Sequence, residues 1–407
     1  MKNNAFRHNV YMPEVLCRHF NGYKPCSQNA KCDSACAFRS IPQARILIVH
    51  LGAIGAVVRS TSLLSAINRK YPGSHITWVT QRPSDQLLRE NSQIDRVLTT
   101  ERDDLLSLSC LEFDVGFCID KSLVAAGILK TTKVKKIFGF RAETITGAIV
   151  PATDAALPLW EIGLSNQKKF FDNKKPETQL VTEALELEYC RDPYSLQLNK
   201  NEIQESLNRR SAWASPNEIV VGVNTGCSAI IPYKKLSVEA HRRMIQSLKS
   251  LGVKIVLLGG AEDKIRNELI TKDLNIHASP VDLGLRDGLV SVNACDIVVS
   301  GDSLGMHMAI ALKKWTVAWF GPTCAHEIDI FDCGVRVQTS ASCSPCWRRS
   351  CQNSPMCYDL VDISEIVTGV KKGIQWLMSY SIPHLSAISY LPSPSLDTSK
   401  GSSQTSP

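Results

Sequence analysis

Short, nearly unbroken apolar runs recur along the chain, each followed by a stretch with helical spacing. Positions 45–50, 76–80, 97–99, 115–119 and 136–140 predict the strands of a first unit. Positions 219–224, 254–258, 296–300 and 316–320 predict those of a second. Runs that do not alternate with polar residues suit strands buried on both faces of a parallel sheet. Helical spacing follows the turn at 51–59 up to about Arg69, where Tyr71, Pro72 and Gly73 stop it. Further helices are expected at 178–189, 237–251, after Ser303 and at 363–378, with a linker and short helix over 196–214. Strands alternating with helices in this way predict an α/β fold of two doubly wound units. The expected division is a leader over 1–40, a first domain over 41–210, a second over 211–378, and a tail over 379–407. That tail is rich in Ser, Pro and Thr and is expected to be disordered.

Composition changes this picture only at the edges. The length of 407 residues suits two α/β domains. No apolar run approaches the roughly 20 residues needed to span a bilayer. The first residues carry no apolar core behind Lys2 and Arg7, so the chain is read as cytoplasmic. A net charge of +7 fits an anionic substrate, or peripheral contact with the cytoplasmic face of the inner membrane. No nucleic-acid recognition motif accompanies it. The 15 cysteines are unevenly placed. Cys17, Cys26, Cys32 and Cys36 precede the first strand, and Cys343, Cys346, Cys351 and Cys357 follow the last. In a reducing compartment such groups point to metal ligation more than to disulfides. The second group opens as C-x2-C and suits one structural four-thiolate zinc or iron site, and the leader's looser spacing is weaker.

Candidate chemistry sits where apolar strands give way to helices. Asp302 and Ser303 are good N-cap types, expected to accept from the first turn of the following helix. A helix N-terminus there is an anion site, with Leu304 and Gly305 amides facing a phosphate and Asp302 facing sugar hydroxyls. Thr225, Gly226 and Lys234 follow the first strand of the second unit and suit a pyrophosphate, the lysine acting as a point charge. Glu262, after Gly259 and Gly260, is placed to hold ribose hydroxyls. The first turn, Gly52 to Gly55, is a G-x-x-G and lacks the dinucleotide fingerprint.

These motifs together resemble glycosyltransferase family nine, the ADP-heptose:lipopolysaccharide heptosyltransferases. The resemblance rests on the turn at 51–55, Thr225 to Lys234, Gly259-Gly260-x-Glu262, and Asp302-Ser303-x-Gly305-Met306-His307 followed by Phe320 to Thr323. The two cysteine groups resemble a cysteine-containing branch of that family. The resemblance implies a GT-B fold, two Rossmann-like domains across a cleft, and an inverting transfer that uses no catalytic divalent metal. ADP-heptose is the implied donor, and a saccharide, lipid-linked or protein hydroxyl the acceptor. Lys234 is implied to contact the diphosphate, Glu262 the ribose, Ser303 to Gly305 a phosphate, and Asp302 with His307 the sugar. The family's usual general-base aspartate follows the second glycine, where this chain has Ala56. Three readings stand. Asp120, at the end of the 115–119 strand, serves instead; or the chain is a catalytically impaired nucleotide-sugar-binding protein; or the alanine is an engineered substitution.

Overall fold

The structure is a computed structural model that describes residues 16–380 apart from positions 21, 30 and 34. Its strands are β1 (Arg45–Val49), β2 (His75–Thr80), β3 (Arg96–Thr99), β4 (Glu112–Cys118), β5 (Lys133–Ala142), β6 (Ile149–Pro151), β7 (Val220–Asn224), β8 (Lys254–Leu258), β9 (His277–Ala278), β10 (Ile297–Gly301), β11 (Trp315–Phe320) and β12 (Gly334–Gln338). The first sheet has the order β3-β2-β1-β4-β5-β6 and the second β12-β11-β10-β7-β8-β9. All pairings are parallel except β5 with β6.

The lack of alternation in the sequence follows from burial on both faces. β1 sends Ile46 and Ile48 into one core cluster and Leu47 and Val49 into another. In the second sheet Val298 and Ile297 divide in the same way between two clusters. Each sheet reverses its winding once. β4 lies on the opposite side of β1 from β2, and β10 on the opposite side of β7 from β8. Ligands of open α/β sheets bind at the carboxyl ends of strands beside such switch points.

Differences from the expected elements have local causes. The helix after β1 breaks into Ile54–Ser60 and Leu63–Lys70, because the Thr61 hydroxyl turns back onto Val58 O at 2.6 Å. The short helix expected within the linker over 196–214 is longer, Lys200–Trp213, opened by a capping box between Asn199 and Glu202. The strands β6, β9 and β12 are short edges with no sustained apolar run. The terminal helix runs Ile363–Tyr380, and the rest of the expected tail lies outside the described residues. Among the described residues, no helix is long and apolar enough to cross a membrane.

Candidate active site

At the switch point of the second sheet, β10 ends in Gly301 and leads through Asp302 and Ser303 into the helix Leu304–Ala311. Lys234, in the turn Pro232–Lys234, sets its Nζ 3.0 Å from Asp302 Oδ2, and both side chains are largely buried. Burial opposes the charge on Asp302, yet the Lys234 ammonium and hydrogen bonding hold its carboxyl below the ordinary value. Ser303 does not cap the helix as expected. Its Oγ accepts from Asn224 Nδ2 at 2.9 Å and lies 3.1 Å from Ser300 Oγ, because the asparagine at the end of β7 is a closer partner. The first N–H groups of that helix therefore have no side-chain cap, which leaves donors for an anion.

Thr225 also differs from its expected use. Its buried hydroxyl turns inward to Asn267 Oδ1 and Leu258 O, and its N–H also donates to Leu258 O at 3.2 Å. Gly226 permits a close approach: a Cβ there would lie 2.0 Å from Asp263 Oδ2. Asp263 accepts from Gly260 N–H at 3.1 Å and from Lys235 Nζ at 3.2 Å. Glu262, beside it, is exposed.

His307 lies inside the helix Leu304–Ala311, and the turn after β1 packs on it. A Cβ on Gly55 would lie 2.6 Å from His307 Cδ2. The Tyr194 ring stands on another side, with centroids 5.9 Å apart. Burial, reinforced by Arg59, pushes the imidazole down to about 3, so it is neutral. Ala56 is half-buried in the first turn of Ile54–Ser60. Asp120 follows β4, and its carboxylate accepts the N–H of Leu51, where the glycine turn begins. Burial pushes Asp120 up to about 6, against that hydrogen bond and Lys121. The structure thus brings Asp120 to the same switch point as the Ala56 turn.

Four charged residues that the sequence did not single out gather where the two halves meet. Arg59 pairs with Glu177 at 2.5 Å, and Lys169 Nζ lies 3.8 Å from Glu327 and 4.0 Å from the Trp347 ring centroid. Burial and then Glu177 push Glu327 up to about 7, against Lys169 and Arg59. The nearest signal for Glu327 was its place just after Phe320 to Thr323; Lys169 and Glu177 lie in a stretch without a pattern. Cys324, His326 and Glu327 hold ligand-type atoms within 4.8 Å of one another. Each already has a partner: Trp347 Nε1 donates to Cys324 Sγ at 3.4 Å, and His326 Nε2 meets Lys169 O at 3.2 Å. The group reads as a latch between the halves.

The cysteines after the last expected strand gather around Cys357. Burial pushes its thiol up to about 11, and Cys346, Cys343 and Cys351 push the same way. Their sulfurs are not among the described groups whose ligand atoms all lie within 4.8 Å. A tetrahedral thiolate site needs sulfurs about 3.8 Å apart, from bonds of ~2.3 Å. The donor set and its gathering suit a metal; the spacing here is more open. The segment abuts the Lys234 turn, since Cys351 N–H donates to Tyr233 Oη at 3.1 Å. It also touches the loop after β11, where a Cβ on Gly321 would lie 3.1 Å from Cys357 Sγ. The leader thiols are half-buried; Cys17 accepts from Ser40 N–H and Cys36 from Asn29, while Cys26 and Cys32 lie nearby in sequence.

Two doubly wound sheets whose carboxyl-end loops touch through Gly55 and His307 define a GT-B glycosyltransferase. The model of glycosyltransferase family 9 (heptosyltransferase) matches residues 107–357, more than half of the chain, and the protein belongs to that family. A family 9 glycosyl transferase from Veillonella parvula DSM 2008 superposes with a TM-score of 0.67 at 14% identity, over 83% of this chain and 99% of its own. The E. coli ADP-heptose lps heptosyltransferase II superposes at 0.59 with 18% identity, over 82% and 99%. TibC from enterotoxigenic E. coli H10407, an iron-containing dodecameric glycosyltransferase, superposes at 0.51 with 12% identity, over 83% and 77%. No curated protein matches the sequence.

Proposed function

We propose that the protein transfers heptose from ADP-heptose, with inversion at the anomeric carbon, to a saccharide or protein hydroxyl, most simply in lipopolysaccharide core assembly. The Lys234–Asp302 pair beside a helix N-terminus without a side-chain cap carries this reading. An ammonium and free amides suit a diphosphate, while the adjoining carboxylate suits sugar hydroxyls. Solved structures of similar fold include one described with ADP-D-beta-D-heptose, at a TM-score of 0.52.

In this reading the acceptor oxygen attacks the anomeric carbon as its bond to the β-phosphate breaks. ADP leaves with its charge met by Lys234 and the amides around Ser303 to Gly305, and Glu262 holds the ribose. The acceptor proton goes to Asp120, because Ala56 has no basic atom. A carboxyl held near 6 is mostly ionised at neutral pH and still basic enough to accept that proton. His307, neutral and buried, shapes the sugar site rather than exchanging protons. No divalent metal takes part in the chemistry. Cys343, Cys346, Cys351 and Cys357 hold a structural iron or zinc that stiffens the Lys234 turn, and the leader cysteines are a second, looser candidate. The protein is cytoplasmic, with peripheral contact to the inner membrane through its positive charge.

Ala56 favours one other reading, a nucleotide-sugar-binding protein with impaired transfer. ADP release from ADP-heptose, measured with and without candidate acceptors, separates the two. Acceptor-dependent release at ordinary enzyme rates supports transfer. Tight donor binding with turnover only after Ala56→Asp supports the impaired reading.

A further inference from the structure

The opposite end of the first sheet carries a second site. β1, β2, β3 and β4 begin there, and leader residues Arg18, Phe20 and Gly22 line one side of a half-open cavity of about 590 Å³. That volume falls within the range of small-molecule sites, about 300–1,000 Å³. Strand register decides what lines it. Arg45 pairs with His75 in the β1–β2 ladder, and Thr77 pairs with Arg96 in the β2–β3 ladder. Paired residues of parallel strands, and residues two apart on one strand, share a face. Arg45, His75, Thr77 and Arg96 therefore lie together on one face, and all four line the cavity.

The charges there are unbalanced in a specific way. The nearby carboxylates are all engaged. Asp95 accepts from Arg18 at 2.9 and 2.8 Å and from Ile76 N–H at 2.8 Å. Asp114 accepts from Arg45 N–H at 2.9 Å and from Lys135 Nζ at 2.7 Å, and Glu112 takes Lys133 at 2.7 Å. Among the described residues, the guanidiniums of Arg45 and Arg96 have no carboxylate or carbonyl partner. Burial and then the neighbouring Arg45 depress Arg96, outweighing the opposite pull of Asp95. Two partly buried guanidiniums facing one cavity repel each other unless an anion lies between them. The Thr77 hydroxyl is also buried without a hydrogen-bond partner. His75, pushed down to about 4 by burial, is a neutral donor or acceptor.

We propose that this cavity binds a phosphate-bearing small molecule or headgroup between Arg45 and Arg96, with Thr77 and His75 beside it. Guanidinium forks match phosphate oxygens better than they match a single carboxylate. The site is at the amino ends of the first sheet's strands, so it does not depend on the transferase reading. Its roof is the leader, docked by Arg18 onto Asp95 and Ser74 O, so occupancy would fasten the leader to the first domain.

Thermal unfolding of the full chain with glycerol 3-phosphate tests it. At about a hundredfold excess over Kd, the wild type should gain about 3 °C or more. Arg45→Gln/Arg96→Gln should show no gain, while Lys234→Ala, altered only in the donor region, should keep it. Without ligand the double variant should melt at or above the wild type, since repulsion is removed. Sedimentation with phosphatidylcholine vesicles containing phosphatidic acid separates the sources. Binding that the double variant loses makes the ligand a lipid headgroup, and a response to glycerol 3-phosphate alone makes it a soluble metabolite. If the wild type responds to neither probe, or the double variant responds equally, the site does not exist.

Discussion

A methyl group on Gly55 would lie 2.6 Å from Cδ2 of His307, so the turn after β1 and the helix after β10 are packed with no room for a side chain. Gly55→Ala should force the two halves apart. Overpacking of this kind typically costs about 1–3 kcal/mol. In a His307→Ala background the same substitution should cost less, because the ring it strikes is gone. A double-mutant cycle on melting temperature measures this coupling, and strict additivity would mean the two residues do not touch.

Lys234 and Asp302 form a largely buried pair at 3.0 Å. Lys234→Ala leaves the carboxylate without its partner, which destabilises more than removing both charges. Asp302→Asn added to Lys234→Ala should therefore restore part of the lost melting temperature. Donor KM should rise in the single and double variants alike. A double variant less stable than Lys234→Ala would show that the pair is not coupled.

The general base should show in the pH profile. Asp120 is held near 6 and Glu327 near 7, so kcat/KM should rise with pH through about 6 if Asp120 accepts the proton, and through about 7 if Glu327 does. Asp120→Asn should cost about 10²–10⁴-fold in rate, whereas Glu327→Gln should leave the acid limb in place. Ala56→Asp should raise turnover. An Asp120→Asn enzyme with unchanged kcat removes Asp120 from the role.

The two-sheet architecture was legible because strands such as β1 and β10 are buried on both faces and so read as continuous apolar runs. β5 was read short, since its first residues, Lys133 to Lys135, are largely exposed. The meeting of Lys234 with Asp302 was legible because Asp302 follows a strand end, and Lys234 lies in the turn after another, each within a local motif. Ser303 and Thr225 were misjudged at the level of single hydrogen bonds. Each chose a partner distant in sequence, Asn224 and Asn267, that no local pattern reveals. The Arg59–Glu177 and Lys169–Glu327 pairs were invisible for the same reason, the first joining distant parts of one half and the second crossing between halves.

The cysteines around Cys357 predict a bound metal. Elemental analysis should give about one iron or zinc per chain, and less than a tenth would remove the reading. Cys346→Ser and Cys351→Ser should lose the ion. Because Cys351 N–H holds Tyr233 Oη beside Lys234, both variants, and chelated wild type, should also bind donor more weakly. Loss of metal with unchanged donor KM would confine the ion to a role remote from the Lys234 turn.

Buried histidines should make the protein labile in mild acid. Burial pushes His50 and His307 down to about 3 and His75 and His241 down to about 4, each from 6.5. Below pH 6.5 the unfolded chain takes up protons that the folded one refuses. The stability these four groups contribute is therefore complete above 6.5 and is lost as pH falls toward 4. Asp120 and Glu327 work the other way, because their raised values keep protons on the folded chain between about pH 7 and 4. The histidines outnumber them, leaving the unfolded state with about two more protons near pH 5.5, a loss of roughly 2.7 kcal/mol per pH unit. Melting temperature should change little from pH 7.5 to 7 and fall with increasing slope from about pH 6.5 to pH 5. His241→Gln should flatten that slope by about one proton. A melting temperature that holds or rises on acidification would mean that these imidazoles are not buried as neutral groups.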